Sequence, residues 1–416
     1  MSNGVNGHHG PTITTTTSRL FPRDQPPSLE EFKRLCSRTA SAETYPLASS
    51  IQKNIPIYEM SRFDASDDDT AARLQDEWYH ILYAGPGVLV LKGLYGVEQY
   101  GPVLDAANAT FQRIIEHERQ QRTKQKGDHF AQKGANDRIW NSFSKHALTD
   151  PASFVEYYSN PWLARMCEAW LGPAYRITAQ VNVVKPGGAP QNSHRDYHLG
   201  FQEAERCAQY PRSIQVASQL LTLQGAVAHS DMPMESGPTR VLPFSQLYEP
   251  GFIAWRRPEF QQFFQEKYVA LPLETGDAIF FNPALFHAAG ANRTTDLHRT
   301  ANLLQISSAF GKTMEAIDTI PLVERCWDLL KTKYEQEDGG RFSARVMSFI
   351  QAVAEGYPFP TNLDNRPPAP SGMAPESEQE LMVRGLREGW TRERIVQELR
   401  QMRLDSVDVG LGEEFV

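Results

Sequence analysis

In the middle of this 416-residue chain, Gln191-Asn192-Ser193-His194-Arg195-Asp196-Tyr197-His198 sets an imidazole and a carboxylate two residues apart. The motif follows an alternating segment, Ile177-x-Ala179-x-Val181-x-Val183, and a Pro186-Gly187-Gly188 turn. On an extended backbone alternate side chains share a face, so His194 and Asp196 can reach one metal ion together. A second histidine, His287, ends Phe280-Phe281-Asn282-Pro283-Ala284-Leu285-Phe286-His287, and Arg299 follows twelve residues later. Two imidazoles and one carboxylate on one face of an octahedral ion leave three positions open, the arrangement used in non-haem Fe(II) oxygen chemistry. A guanidinium near such a centre can clamp a carboxylate in a bidentate pair.

The His-x-Asp pattern is not unique in the chain, because His229-Ser230-Asp231 satisfies it too. Either pair leaves room for several strands before His287, so spacing prefers the first only mildly. His198 shares the face of His194 and Asp196 if the strand continues, and would then border a substrate pocket. Arg138, Trp140 and Asn141 form a polar and aromatic cluster upstream; Arg138 and Trp140 are candidate pocket residues, with ordinary packing as the alternative. Arg293 competes with Arg299 as an anion anchor but lies in the Gly290-Ala291-Asn292 turn, and His298 is one residue off the Arg299 face.

The elements that must position these residues follow from periodicity and turn signals. Ser28 with Glu31 is a capping-box pattern opening a helix through Phe32 and Leu35. Asp67-Asp68-Asp69 reads as a helix start complementing the dipole, with an acidic metal cluster as the sharper alternative. Gly85-Pro86-Gly87 ends that helix, and Val88-Leu89-Val90-Leu91 reads as a buried strand. A helix is expected over 97–122. Strands are expected over 177–184, 214–223, 239–242, 278–281 and 299–308, separated by turns such as Glu274-Thr275-Gly276-Asp277. Helices return over 322–334, 342–355 and, around Gly389-Trp390-Thr391, within 376–403. The expected fold is mainly β with helical additions: a double-stranded β-helix (jelly roll, cupin-like) core flanked by N- and C-terminal helices. Residues 1–27 read as a disordered segment, 28–357 as the jelly-roll domain with its helices, 358–375 as a linker and 376–416 as a helical C-terminal appendage.

Composition narrows the partners. A formal charge of -8 argues against general nucleic-acid binding. No apolar run approaches the ~20 residues a membrane span needs. The polar N-terminus lacks a secretory pattern, and Cys36, Cys167, Cys207 and Cys326 are scattered like reduced thiols, so the cytoplasm is the expected compartment. Oligomeric state is not encoded in any visible pattern.

Residues 74–310 resemble the phytanoyl-CoA dioxygenase family of Fe(II)/2-oxoglutarate oxygenases. The segment from Leu82 through Gly85-Pro86-Gly87 to Val88-Leu89-Val90-Leu91-Lys92-Gly93-Leu94 is similar to that family's helix, glycine turn and first strand. Gln191-x-x-His194-x-Asp196 resembles its metal motif, and His287 with Arg299 its distal ligand and cosubstrate anchor. Asp231 with Glu235-Ser236-Gly237-Pro238-Thr239-Arg240-Val241-Leu242-Pro243 resembles a mid-barrel strand and turn, which makes the second His-x-Asp pair incidental. The resemblance implies that His194, Asp196 and His287 hold Fe(II), that Arg299 clamps the distal carboxylate of 2-oxoglutarate and that Gln191 donates an amide hydrogen bond to it. Molecular oxygen is the co-reactant and ascorbate the expected reductant. Two departures stand out: Phe244-Ser245-Gln246 replaces the usual Gly-Ser-His, and Ala289 replaces a hydroxyl that some members use for the cosubstrate.

The expected reaction is hydroxylation, desaturation or oxidative rearrangement of a small organic substrate. The carboxylate at Asp196 argues against halogenation, since halide needs that coordination site. No basic cluster suggests a coenzyme A phosphate site, which points to a specialised metabolite or an amino-acid-derived molecule. The alternatives are an acyl-CoA hydroxylase, a jelly-roll metalloenzyme independent of 2-oxoglutarate, and a non-catalytic binding protein.

Overall fold

A computed structural model describes residues 18–22, 24–120, 136–337 and 341–407. Ten strands lie within these residues: β1 (Ser50–Gln52), β2 (Ile55–Glu59), β3 (Val88–Lys92), β4 (Asn136–Ile139), β5 (Arg176–Val184), β6 (Thr222–Ala228), β7 (Arg240–Val241), β8 (Ala278–Phe281), β9 (His287–Ala288) and β10 (Arg299–Ser307). Eight of them form one sheet in the order β1-β2-β3-β8-β6-β10-β5-β4, and β7 pairs with β9 in a second, smaller sheet. The second sheet is extended by isolated bridges, His194 to His287 and Val241 to Val269. The two sheets make a jelly roll whose walls differ greatly in size.

The large sheet is buried on both faces, which explains its uninterrupted apolar runs. In β3, Leu89 and Leu91 face the helical layer, whereas Val88 and Val90 face the barrel interior. The same alternation sends Val181, Val183, Leu304 and Ile306 outward, and Ala226, Ala301, Leu303 and Phe281 inward. The outer layer includes the helices Asp68–Tyr83, Val97–Gln120 and Thr319–Thr332. Asp67 caps the first of these by accepting from the Thr70 N–H. Ser28 caps Leu29–Cys36 in the same way through the Glu31 N–H. The C-terminal pair Glu378–Arg387 and Arg392–Ser406 packs on that layer too, with Trp390 buried and the Trp327 indole donating to its carbonyl at 3.1 Å.

Several expectations shift. Residues 214–223 were expected as a strand but form the helix Arg212–Leu220, and β6 begins only at Thr222. Ile214 is exposed there while Gln215 and Ser218 are buried at helical spacing. The Gln215 amide donates to the carbonyls of Cys207 and Tyr210, so tertiary contact overrides β-branched propensity. The expected strand over 239–242 shrinks to β7. The helices Ser142–Thr149, Pro151–Tyr158 and Pro161–Leu171, capped by Asn141, Asp150 and Asn160, were not anticipated. Residues 1–17 and 23 of the N-terminal segment, 121–122 of the helix expected over 97–122, and 408–416 of the C-terminal appendage lie outside the described residues.

The second His-x-Asp pair is part of this scaffold. His229 is buried, with Nε2 3.0 Å from the Tyr157 hydroxyl and Nδ1 2.8 Å from Asn108 Oδ1. Asp231 instead accepts from the Thr275 N–H and hydroxyl, both at 2.9 Å. Burial pushes His229 down to about 3 and the nearby His146 down to about 4. Both are neutral when folded, whereas the unfolded chain protonates them below ~6.5. Their contribution to stability is therefore complete above that pH and is lost as pH falls towards 3–4, at up to ~1.4 kcal/mol per pH unit for each. Urea titrations at pH 7 and pH 5 should show this loss, and His229→Gln should flatten it. An unchanged slope in the variant would contradict the assignment.

Candidate metal centre and cavity

His194 and His287 are direct cross-strand partners. The His194 N–H donates to the His287 carbonyl at 3.0 Å, and the His287 N–H to the His194 carbonyl at 3.2 Å. An opposed antiparallel pair projects both side chains to one side, and the ring centroids lie 4.4 Å apart. Asp196 returns to that side two residues on, with its N–H held by the Pro283 carbonyl at 2.8 Å. Its Oδ1 is 3.6 Å from His194 Nε2 and its Oδ2 is 3.4 Å from His287 Nε2. One ligand atom from each residue lies within 4.8 Å of the others, the sole such cluster among the described residues.

The hydrogen bonds behind the rings set what faces inward. His194 Nδ1 is 3.0 Å from the Asn192 carbonyl, and His287 Nδ1 is 2.8 Å from the Leu285 carbonyl. A carbonyl only accepts, so each Nδ1 carries the proton and each Nε2 turns its lone pair toward Asp196. Lone pairs facing a carboxylate repel unless a cation stands between them. Two imidazole nitrogens and one carboxylate oxygen are a donor set that fits a first-row divalent metal. Burial pushes the Asp196 carboxyl up, but positive charge on His194 or His287, which a bound cation would replace, together with the Gln224 amide outweighs it and holds the group well below the usual carboxylate range. Burial pushes His194 down. An ionised carboxylate and a neutral imidazole are the protonation states metal binding requires.

Gln224 and Arg195 support this cluster, and neither stood out in the sequence. Gln224 on β6 donates from Nε2 to Asp196 Oδ2 at 2.6 Å, fixing the carboxylate rotamer. Gln224→Leu should weaken Mn(II) binding roughly 10- to 100-fold in a fluorescence titration, the range typical of lost partners behind metal ligands. Unchanged affinity would show the bond to be idle. Arg195 obeys the same alternation that unites His194 and Asp196, and so points the opposite way. It is 1% exposed, donates to the carbonyls of Ser245 and Tyr248 at 2.8 Å each and lies over the rings of Phe252 and Phe286. It ties the ligand segment to the Phe244-Ser245-Gln246 turn. Gln246 donates to the Gly85 carbonyl and Ser245 Oγ accepts from the Phe286 N–H, so the departure from Gly-Ser-His falls on a turn bonded into the scaffold.

The cluster opens into a cavity of about 630 Å³ between the sheets. His194, Asp196, His287, Gln191, Arg299 and Arg138 all line it. Arg299, at the start of β10, is 7% exposed, and its guanidinium donates to the Ser236 carbonyl at 3.3 Å with no acidic partner among the described residues. Burial pushes it down to about 10, so it remains a cation at neutral pH. It does not share a hairpin ladder with His287: β10 belongs to the large sheet and β9 to the small one, and the connection between them crosses the barrel. Arg293 and His298 are exposed. Gln191 Oε1 accepts from the Ala289 N–H at 3.1 Å, which orients the amide N–H₂ away from that strand.

Two candidate pocket residues fall elsewhere. His198 does not line the cavity, because Tyr197 and His198 both adopt positive φ, 61° and 44°, and turn the chain after Asp196 into the short helix His198–Phe201. Trp140 does not line it either; its ring lies under the Arg138 guanidinium, 4.6 Å from the centroid.

Comparison with known proteins matches residues 83–301, a little over half of the chain, to the family described as Phytanoyl-CoA dioxygenase (PhyH). Two curated relatives are fungal. Dioxygenase andF of Emericella variicolor is 28% identical over 148 residues, covering 35% of this chain and 46% of its own. Dioxygenase trt7 of Aspergillus terreus is 29% identical over 165 residues, covering 40% and 47%. The chain thus spans slightly less than half the length of the curated relatives it matches. Among solved structures, the alpha ketoglutarate dependent epimerase SnoN from nogalamycin biosynthesis aligns at 20% identity and a TM-score of 0.39, covering 58% of this chain and 84% of that one. No helix among the described residues is long and apolar enough to cross a membrane.

Proposed function

Because this chain belongs to the phytanoyl-CoA dioxygenase family, we propose that it is an Fe(II)- and 2-oxoglutarate-dependent dioxygenase acting on a small organic substrate. The carrying observation is the convergence of two imidazole Nε2 atoms on one carboxylate, each ring's Nδ1 already committed to a backbone carbonyl. In this reading His194, Asp196 and His287 hold the metal. Arg299, a buried cation without an acidic partner among the described residues, binds the distal carboxylate of 2-oxoglutarate, and the Gln191 amide donates to the same molecule. Bound iron, with oxygen and 2-oxoglutarate, supplies the oxidising power, the cosubstrate leaving as succinate and carbon dioxide. The protein supports this by excluding water: Phe281, Leu273 and Met232 line the same cavity and are nearly fully buried. Ascorbate keeps the metal reduced between turnovers. The outcome is hydroxylation, desaturation or a related rearrangement of a specialised metabolite or an amino-acid-derived molecule.

The test is succinate release by purified protein with Fe(II), ascorbate, 2-oxoglutarate and oxygen across a substrate panel. Wild-type protein should exceed His194→Ala by at least tenfold with the productive substrate. Equal succinate from both across the panel would overturn the reading.

A further inference from the structure

The cavity has a second polar end that 2-oxoglutarate cannot reach from Arg299. Along β10 the lining residues alternate as Arg299, Ala301, Leu303 and Gln305. Six residues of strand separate Arg299 from Gln305 by ~20 Å, several times the span of a five-carbon diacid. Gln305 stands opposite Gln224 in register, and Gln224 holds Asp196. This end therefore adjoins the candidate metal ligands.

Its hydrogen-bond polarity is set by a chain of amides. Arg138 Nε donates to Gln180 Oε1 at 3.0 Å. Gln180 Nε2 in turn approaches Gln305 Oε1 at 3.5 Å and Glu315 Oε1 at 3.4 Å. With its oxygen occupied, Gln305 presents its N–H₂, which has no acceptor among the described residues although the side chain is only 6% exposed. Asn182, across from Arg138 in the β4–β5 register and from Ala301 in the β5–β10 register, lies two residues from the level of Arg299 and four from that of Gln305, so it belongs to the Arg299 half of the cavity, where its buried Oδ1 is an acceptor without a partner among the described residues. An amide donor that lines a cavity without an acceptor is unfavourable, and a ligand oxygen would satisfy that of Gln305. Trp255, Phe281, Leu273 and Met314 give the same cavity apolar lining.

We infer that Gln305, oriented by Gln180 and Arg138, forms a substrate subsite that reads a carbonyl-type oxygen (ketone, lactone, ester or carboxylate) on a compound with an apolar body. This deepens the oxygenase reading, since it assigns the Arg299 end to the cosubstrate. A cavity of about 630 Å³ suits a drug-sized molecule of this kind.

Equilibrium dialysis of the full chain against matched triplets of an apolar-bodied ketone, its alcohol and its parent hydrocarbon tests the inference. Steroid, decalin and terpenoid skeletons serve as probes, with saturating 2-oxoglutarate present or absent. The assay needs neither iron nor turnover, so failure of the oxygenase reading leaves its result standing. In at least one triplet the ketone should bind tightest, with no competition from 2-oxoglutarate. Gln305→Leu should weaken it about tenfold, the effect of one lost hydrogen bond. Gln305→Glu, nearly identical in shape, should reverse the ketone-over-alcohol preference. Absence of any ketone-selective triplet, displacement of the ketone by 2-oxoglutarate, or full ketone affinity in Gln305→Glu would each overturn the assignment.

Discussion

Asp196→Ala should abolish tight divalent-metal binding and, with it, 2-oxoglutarate turnover. Asp196 contributes the one negative charge of the proposed ligand set, and it stands between two imidazole Nε2 atoms at 3.4 and 3.6 Å. Without it the two rings face a void, and the Gln224 amide loses its acceptor. Losing a partner behind a metal ligand costs about 10–100-fold in affinity, so losing the ligand itself should exceed ~100-fold. Competition between the protein and a chelator for Mn(II) or Fe(II) reads this directly. The chain carries its own control in the other His-x-Asp pair. Asp231→Ala removes two hydrogen bonds to Thr275, costing ~1–3 kcal/mol of stability, and should leave metal affinity intact. Equal metal affinity in Asp196→Ala and wild type would sink the proposed centre.

Arg299→Ala should raise the 2-oxoglutarate requirement by about 100-fold, corresponding to the ~3 kcal/mol upper range of a charged hydrogen bond. A purely structural arginine predicts a different pattern. This guanidinium is almost fully buried, makes one hydrogen bond to a backbone carbonyl and has no acidic partner among the described residues. An uncompensated buried charge destabilises the protein that holds it. Replacement by alanine should therefore leave the ligand-free protein as stable as wild type, or more so. Saturating 2-oxoglutarate should raise the melting temperature of wild type but not of the variant. Arg299→Lys keeps the charge and loses the two-pronged geometry, and should fall between them. A variant that unfolds readily yet binds 2-oxoglutarate normally would assign Arg299 to the scaffold.

How much was legible in the sequence differs by feature. Helix starts at Ser28 and Asp67 are local: a side chain bonds an N–H three residues away, and that bond depends on little else. The strands around Val88–Leu91, 177–184 and 299–308 were also plain, because apolar runs between turn residues have few other fates. The helix Arg212–Leu220 was misread, because its Ile214 and Val216 favour a strand until the carbonyls of Cys207 and Tyr210 claim Gln215.

The chain by itself determined the chemistry on offer: two imidazoles, a carboxylate and a guanidinium, with the alternation that lets His194 and Asp196 share a face. Tertiary structure alone decided which histidine meets them, since the backbone pairing of His194 with His287 joins segments 93 residues apart. It also decided that His229 is a core residue, that His198 leaves the face at two left-handed residues, and that Gln224 holds Asp196. The physical reason is one of range: dihedral preference and capping act over a few residues, whereas burial and ligand convergence depend on which distant surfaces the closing barrel brings together.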